Sequence, residues 1–296
     1  MSIILSDEQK DVTRKIFGNR ENEQVQTLGG YAGTGKTTIV KTLVRAFSEK
    51  NEGWAMMAFT GKAANIMRRK GVEHAQTIHS FIYRATTYKD PDTGEEHTSF
   101  EKVWDVDCAG FLIDEASMIS EEIHNDLLSF GKPIVYIGDH GQLEPIGSDF
   151  NIMADPMYRL ETVHRNAGEI AHFAQHLRKG LNADSFNGAK KVQIVREKVV
   201  EDKHYAGTNQ IICAYNKTRV KLNERCRTHL GRQYQYVAVG DKVMCLRNNR
   251  RVGLFNGMQG IVQKVRKKDR FDFISDDGKY YEGIHYDPDQ FGQEKK

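Results

Sequence analysis

The sequence predicts an α/β fold built on a parallel sheet, followed by a smaller all-β module. Three observations predict it. Apolar, strand-like runs alternate with amphipathic helical patterns through the first 155 residues, the pattern of strands joined by crossover helices. A glycine-rich turn, "GYAGTGKT", joins the first strand to the helix after it. From about Gln233 the character changes to short β runs punctuated by glycine, in "YQYVAVGDKVMCL", "NGMQGIVQKV" and "RFDFIS".

In chain order, a helix is expected to start at Ser6-Asp7, where Ser6 caps it and Gln9 completes an S-x-x-Q capping box. A strand at Val25–Leu28 feeds the glycine-rich turn, and a helix follows near Thr37–Lys50. Further strands are expected at Ala55–Phe59, Gly110–Ile113 and Ile134–Ile137, separated by helices at Lys62–Lys70 and Glu121–Phe130. Between them "YRATTYKDPDTGEEHTSF", residues 83–100, is polar with Asp-Pro and Thr-Gly turn signals. It reads as a hairpin-like excursion, a small insertion over about 83–105. A second α/β unit is expected from Met157, with a strand at Gln210–Ala214 and a helix at Lys217–Leu230. The expected domains are therefore 1–155, 156–232 and 233–296.

With 296 residues, 39% of them hydrophobic, the chain can bury more than one core. No apolar run approaches the ~20 residues of a membrane span. The start, "MSIILSDEQK", has neither the basic nor the long apolar region of a secretory signal. Four scattered cysteines without a C-x-x-C pair favour reduced thiols over a disulfide scaffold or zinc site. Together these give an expected cytoplasmic location, in a bacterium or a phage-infected host, with no membrane partner. Net charge is only +3, but nine Lys/Arg face one acid over residues 242–270, and six acids follow in 271–290. The basic block suits a polyanion; a solvated strand face balanced by its acidic neighbour is the other reading.

"GYAGTGKT" matches G-x-x-x-x-G-K-[ST] between a strand and a helix, the context the motif requires. Its backbone N–H groups can wrap a β-phosphate at the positive end of the helix. Gly30, Ala32, Gly33, Thr34, Gly35, Lys36, Thr37 and Thr38 form the expected ATP site. Lys36 reaches the β- and γ-phosphates, and Thr37 is placed to ligate Mg²⁺. In "FLIDEAS", an apolar strand projects Asp114 towards Mg²⁺ and sets Glu115 to polarise the attacking water. A glutamate base indicates a hydrolase rather than a kinase-like transferase. "YIGDHGQLEPIG" ends a further strand, so Asp139 and Gln142 emerge at the edge where ligands of parallel sheets gather. An amide there can bond the γ-phosphate or its water; a solvent-facing turn is the plainer reading of Gln142.

Taken together, "GYAGTGKTT", "AFTGKAAN", "QTIHSF", "LIDEASMI", "IGDHGQLEPIG" and "LETVHRN" resemble the ordered motifs of superfamily 1 DNA helicases. The similarity is greatest to the RecD-like and Dda-like 5′-to-3′ group, and it covers residues 9–166 most specifically. "ICAYNKTRVKLNERCR" and "GDKVMCLRNNRRVGLFNGMQG" resemble that group's second half less strictly. The resemblance implies two RecA-like domains, a strand-separating pin after "TIHSF", and an SH3-like barrel inserted in the second domain.

It also implies roles. Gln9 would read the adenine, Gln142 would couple nucleotide state to motion, and Arg165 would reach the γ-phosphate as an arginine finger. Read alone, Arg165 is a surface salt-bridge residue. Thr60, Gly61 and Lys62 match the first strand-contacting motif, and Thr77, His79 and Phe81 the next. Hydroxyls, N–H groups and lysine suit phosphate contacts, and an aromatic there can stack bases; Phe81 reads equally well as core. Tyr83 and Tyr88 fall in the pin excursion.

The group's later "T-x-H-K-x-Q-G" and "Y-V-A-x-[ST]-R" motifs are not in this sequence, so the second RecA-like domain is expected to be partial and the helicase C-terminally truncated. The expected function is an ATP-dependent 5′-to-3′ helicase or translocase. It would act on single-stranded DNA and the duplex fork as a monomer, alongside replication or recombination proteins. The alternative is a nucleotide-dependent single-strand binder with weak ATPase and no unwinding. A P-loop ATPase acting on protein is the more distant rival.

Overall fold

The computed structural model describes residues 4–89, 96–142, 150–162, 169–186, 191–247, 249, 251–267 and 269–289. The chain divides into two compact units, Met1–Leu181 and Asn182–Lys296.

In the first unit α1 spans Asp7–Asn19, with Ser6 and Gln9 forming the expected capping box. Next come β1 (Val25–Gly30), α2 (Lys36–Glu49), β2 (Trp54–Ala58), α3 (Gly61–Arg69), β3 (Gln76–Thr77) and α4 (Ile78–Ile82). The hairpin strands β4 (Tyr83–Lys89) and β5 (Glu96–Lys102) precede β6 (Gly110–Asp114), α5 (Glu121–Leu128), β7 (Ile134–Gly138), β8 (Tyr158–Leu160) and α6 (Glu169–Arg178). Six strands form one sheet in the order β3-β2-β6-β7-β1-β8, and every pairing in it is parallel.

Strand alternation divides the core cleanly. Leu28, Met56, Leu112, Val135 and Ile137 face α1, α2 and α3 through Ile16, Leu43, Phe47 and Met67. Met57, Phe111, Ile113 and Tyr136 face the other way, against Ile78 and Ile82 of α4 and Ile123 and Leu127 of α5. Burial on both faces explains why these strands read as continuous apolar runs rather than alternating ones.

The structure corrects two expectations of the sequence. The first unit runs past residue 155, because Tyr158–Leu160 pairs parallel with Leu28–Gly30 as an edge strand. Side chains fix this edge to α1: Asn19 donates to the Tyr158 hydroxyl at 3.0 Å, and Glu8 accepts from the Glu161 N–H at 2.9 Å. Gln210–Ala214 is not a strand. Ile212 there is 89% exposed, and a run of strand-forming residues with no neighbouring strand to pair with forms no ladder.

The second unit holds α7 (Asp202–Ala206) and α8 (Asn216–His229). Its sheet contains β9 (Lys242–Met244), β10 (Gln259–Lys267), β11 (Arg270–Ser275) and β12 (Tyr280–His285), antiparallel in the order β12-β11-β10-β9. Val237, Leu254, Val262, Phe271, Phe273 and Tyr281 form its core. The described pairings leave this sheet open, so closure into an SH3-like barrel is not among them.

Part of the basic block is neutralised within this sheet. Arg266 lies 2.5 Å from Asp272 and 3.2 Å from Glu282. Asp272 also accepts from the Gly283 N–H and the Tyr280 hydroxyl, and the Arg266 bond, first among these, holds its carboxyl down at about 2. A carboxyl with a depressed folded-state pKa stabilises the fold above its unfolded value and loses that contribution as pH falls towards the folded one. The second unit should therefore lose stability between about pH 4 and pH 2, and Asp272→Asn should flatten that loss in melts followed by circular dichroism.

Candidate functional site

In a parallel sheet every strand delivers its following residues to one edge, and this edge gathers most of the residues singled out in the sequence. In sheet order it presents Thr77 at the end of β3, Thr60–Lys62 after β2, and Asp114 and Glu115 at β6. Asp139 follows β7, and the loop 30–37 follows β1.

The loop has the backbone of a phosphate cradle. Gly33 and Gly35 both have φ +89°, a region that L side chains enter only with strain. Gly30 is needed for space, since a Cβ there would lie 2.6 Å from Thr34 Oγ1 and 3.2 Å from Leu160 Cβ. Gly35 begins α2 without a side-chain cap, which leaves the helix's first N–H groups for an incoming anion. Ala32 is exposed, Thr34 is buried, and the Thr38 N–H closes the first turn of α2 on the Gly35 carbonyl.

Lys36 donates to the Gly30 and Tyr31 carbonyl oxygens at 2.5 and 3.2 Å, and its ammonium lies 4.0 Å from buried Asp139. Burial pushes the Lys36 pKa down, while Asp139, Glu115 and Asp114 pull it back up and Arg178 adds repulsion. Asp114 is pushed up, first by burial and then by Glu115. Its Oδ1 accepts from the Glu115 N–H at 2.9 Å. Glu115 stands in the left-handed region at φ +57°, a costly conformation for a side chain of this size. Gln142 reaches back to the acidic loop, where its Oε1 accepts from the Ser117 hydroxyl at 3.2 Å.

Gln9 is buried against the same loop. Its Oε1 accepts from the Ser6 N–H at 3.1 Å, and its Nε2 donates to the Thr34 carbonyl at 3.0 Å. Arg165 lies outside the described residues.

Thr60 and Thr77 each cap the helix that follows, accepting from the Ala63 and Ser80 N–H groups at 3.1 Å. Lys62 is exposed and Gly61 half-buried at the start of α3. In α4 the helical period turns Ile78, Phe81 and Ile82 inward and His79 outward. Phe81 meets Phe111 edge-on at 6.2 Å, which places it on the core, while exposed His79 lies near Phe59 and Tyr83, at 6.3 and 5.5 Å. Tyr83 is tied to Asp126 through its hydroxyl. Along the hairpin, Tyr88 is 55% and Phe100 60% exposed, and Trp104 just beyond it is fully exposed.

Four contacts were missed in the sequence. The Tyr31 ring packs on His140 at 4.4 Å and carries the Arg178 guanidinium at 4.6 Å. The Lys70 ammonium donates to Thr37 Oγ1 at 3.3 Å. Asp139 was placed at the edge by its strand, but its contact with Lys36 has no sequence signal. Among the described residues no cluster of three or more His, Cys, Asp or Glu could hold a metal ion. Asp114 and Thr37 offer one carboxylate and one hydroxyl, a donor set that suits a Mg²⁺ sharing its coordination with phosphate oxygens and water. No helix of the described residues is long and apolar enough to cross a membrane.

Comparison with known proteins gives the same outline. A family described as an AAA domain matches residues 4–198. The ATP-dependent DNA helicase dda of Enterobacteria phage T4 is 34% identical over 134 residues, covering 43% of this chain and 29% of its own length. The ATP-dependent RecD2 DNA helicase of Deinococcus radiodurans is 26% identical, covering 88% of this chain and 38% of its own length. The chain thus spans well under half of either relative. Among solved structures, Pif1 helicase from Bacteroides in complex with ADP-AlF3 and ssDNA superposes with a TM-score of 0.59 at 18% identity. That likeness covers 94% of this chain and 74% of that one, and at such identity it is a likeness of fold.

Proposed function

Since the chain belongs to the AAA-domain family, we propose that it is the ATP-hydrolysing part of a 5′-to-3′ translocase on single-stranded DNA, a helicase of the RecD-like and Dda-like group. One observation carries the reading: nucleotide-site residues and strand-contact residues leave the same edge of one sheet, on the neighbouring strands β1, β7, β6, β2 and β3. Strands lie about 4.8 Å apart, so the loop at β1 and the motif at β2 are separated by only about 14 Å of rigid sheet. The names of the relatives, two of them ATP-dependent DNA helicases, support the same reading.

Within it, each group has a task. Lys36 exchanges the Gly30 and Tyr31 carbonyls for phosphate oxygens. When bound, Mg²⁺, held by Thr37 and Asp114, supplies charge neutralisation to the phosphates. Glu115 accepts the proton of the attacking water on its carboxylate. Gln142, bonded to Ser117 beside that acid, changes partners as the γ-phosphate leaves. Arg165 contributes a second cation to the transition state, and Gln9 fixes the loop at the adenine end. Thr60, Lys62, Thr77 and His79 grip the strand by its phosphates, which makes binding strongly salt-dependent and nearly indifferent to sequence.

The protein should hydrolyse ATP faster with single-stranded oligonucleotide than without it, and open a 5′-tailed duplex in preference to a 3′-tailed one. Because the chain spans only part of its relatives, a second reading is retained: strand binding that responds to nucleotide, with weak hydrolysis and no unwinding. Oligonucleotide binding without duplex opening selects that reading. Hydrolysis indifferent to oligonucleotide, together with equal strand affinity in every nucleotide state, discards both.

A further inference from the structure

Lys70 lies outside every motif of the nucleotide site, yet its ammonium bonds the hydroxyl of Thr37, one of the two proposed metal ligands. One positive group therefore already stands beside a hydroxyl that a divalent cation would join.

The end of α3 is closed by backbone bonds alone, the Gly71 and Val72 N–H groups donating to the Arg68 and Met67 carbonyls with Gly71 at φ +93°. Lys70 is the C-cap of α3, and its own N–H bonds the Ile66 and Met67 carbonyls. The capping is done by the backbone, so the side chain is spared for α2. The helix itself is held firmly: Ala64 and Met67 are buried, and Arg68 donates to the Ala75 carbonyl at 2.6 Å. At about 1.5 Å per residue, α3 is a rod of about 13 Å with Lys70 at one end and Thr60, Gly61 and Lys62 at the other.

We propose that Lys70 is a positioning residue of the metal site: its ammonium stands in for the divalent cation at Thr37 when Mg²⁺ is absent, gives way to Mg²⁺, and passes that exchange through α3 to the strand-contacting residues. This rests on the nucleotide-site reading above. The exchange follows from charge. Mg²⁺ coordinates oxygen at about 2.1 Å, and an ammonium 3.3 Å from the same oxygen repels it. A lysine on a flexible four-carbon stem can yield without unfolding anything.

The test measures affinity for a fluorescent ADP analogue in Mg²⁺ and in EDTA, using the full chain with Lys70 intact, Lys70→Met and Lys70→Arg. Lys70→Met should weaken binding in EDTA by about fivefold, the worth of a partly exposed pair between the ammonium and the phosphates of the bound nucleotide, and leave binding in Mg²⁺ unchanged or tighter. The gain conferred by Mg²⁺ should therefore grow about fivefold, and Lys70→Arg should restore it. In Lys70→Met the difference in oligonucleotide affinity between nucleotide-free and Mg²⁺-ADP states should shrink. An equal Mg²⁺ gain in all three proteins overturns the proposal. So does an equal loss of affinity in Mg²⁺ and EDTA with a lowered melting temperature, which marks a purely structural role. If the unaltered chain binds the analogue in neither condition, the nucleotide-site reading itself fails, and the proposal falls with it.

Discussion

Glu115→Gln should slow ATP hydrolysis by about 10²–10⁴-fold, the range expected for a lost general base, while nucleotide affinity stays near its original value. The amide keeps the shape of the side chain and the backbone at φ +57°, so the bend from β6 into the turn at Ala116–Met118 survives. Only the capacity to accept a proton is removed. Asp114, the proposed metal ligand, remains, and its Oδ1 still accepts the N–H of residue 115. Removing one of two neighbouring carboxylates also relieves the repulsion that helps to raise Asp114, which favours metal binding slightly. Pre-steady-state hydrolysis and equilibrium binding of the same variant distinguish the two effects. A variant that turns over ATP at the unaltered rate would remove Glu115 from the chemistry.

The bend at Glu115 is also where the sequence was least informative about the site. "LIDEAS" gives the strand and the two acids, but nothing in it announces a left-handed glutamate. The conformation is imposed by the need to turn the chain at the sheet edge, and no glycine or asparagine stands there to mark it. Where local chemistry and tertiary demand agree, the sequence was legible. Ser6 and Gln9 cap α1 as their spacing requires, and the apolar runs of β1, β2, β6 and β7 are buried on both faces. The helical period likewise separates Phe81 from His79, a division that quoting the motif "TIHSF" alone does not make.

What was not legible depends on neighbours distant in the chain. "YRL" at 158–160 is too short to carry a pattern, and it becomes β8 only because β1 has an open side and α1 supplies partners. "IICA" at 211–214 has the pattern of a buried strand and no ladder to enter. Lys70 and Thr37 are separated by 33 residues, and they meet because α2 and α3 cover the same face of the sheet. Charge counting along residues 242–270 likewise could not show that Arg266 is held by Asp272 and Glu282, whereas Lys242, Lys264, Lys267 and Arg270 are exposed. A polyanion can use that exposed subset; Arg266 is already engaged in the fold.

Lys36→Ala should reduce hydrolysis by about 10²–10³-fold, the usual cost of deleting one group that stabilises transition-state charge, and unlike Glu115→Gln it should also weaken nucleotide binding. The ammonium is the positive group nearest the Gly30 and Tyr31 carbonyls, so its loss is felt by the bound nucleotide as well as by the transition state. Stability should change little, for two opposing reasons. Two hydrogen bonds vanish, but so does a half-buried charge whose burial already depresses its pKa. Asp139 loses a cation at 4.0 Å yet keeps the Gly141 N–H at 2.9 Å. Arginine should not rescue the variant. A planar guanidinium is bulkier than an ammonium, and this loop is so tight that even a Cβ at Gly30 would come within 3.3 Å of the Lys36 side chain. Oligonucleotide binding without nucleotide should persist, because Thr60, Lys62, Thr77 and His79 leave other strands of the sheet. What should disappear is its dependence on ATP, and a variant whose grip still responds to ATP would show that the response does not begin at Lys36.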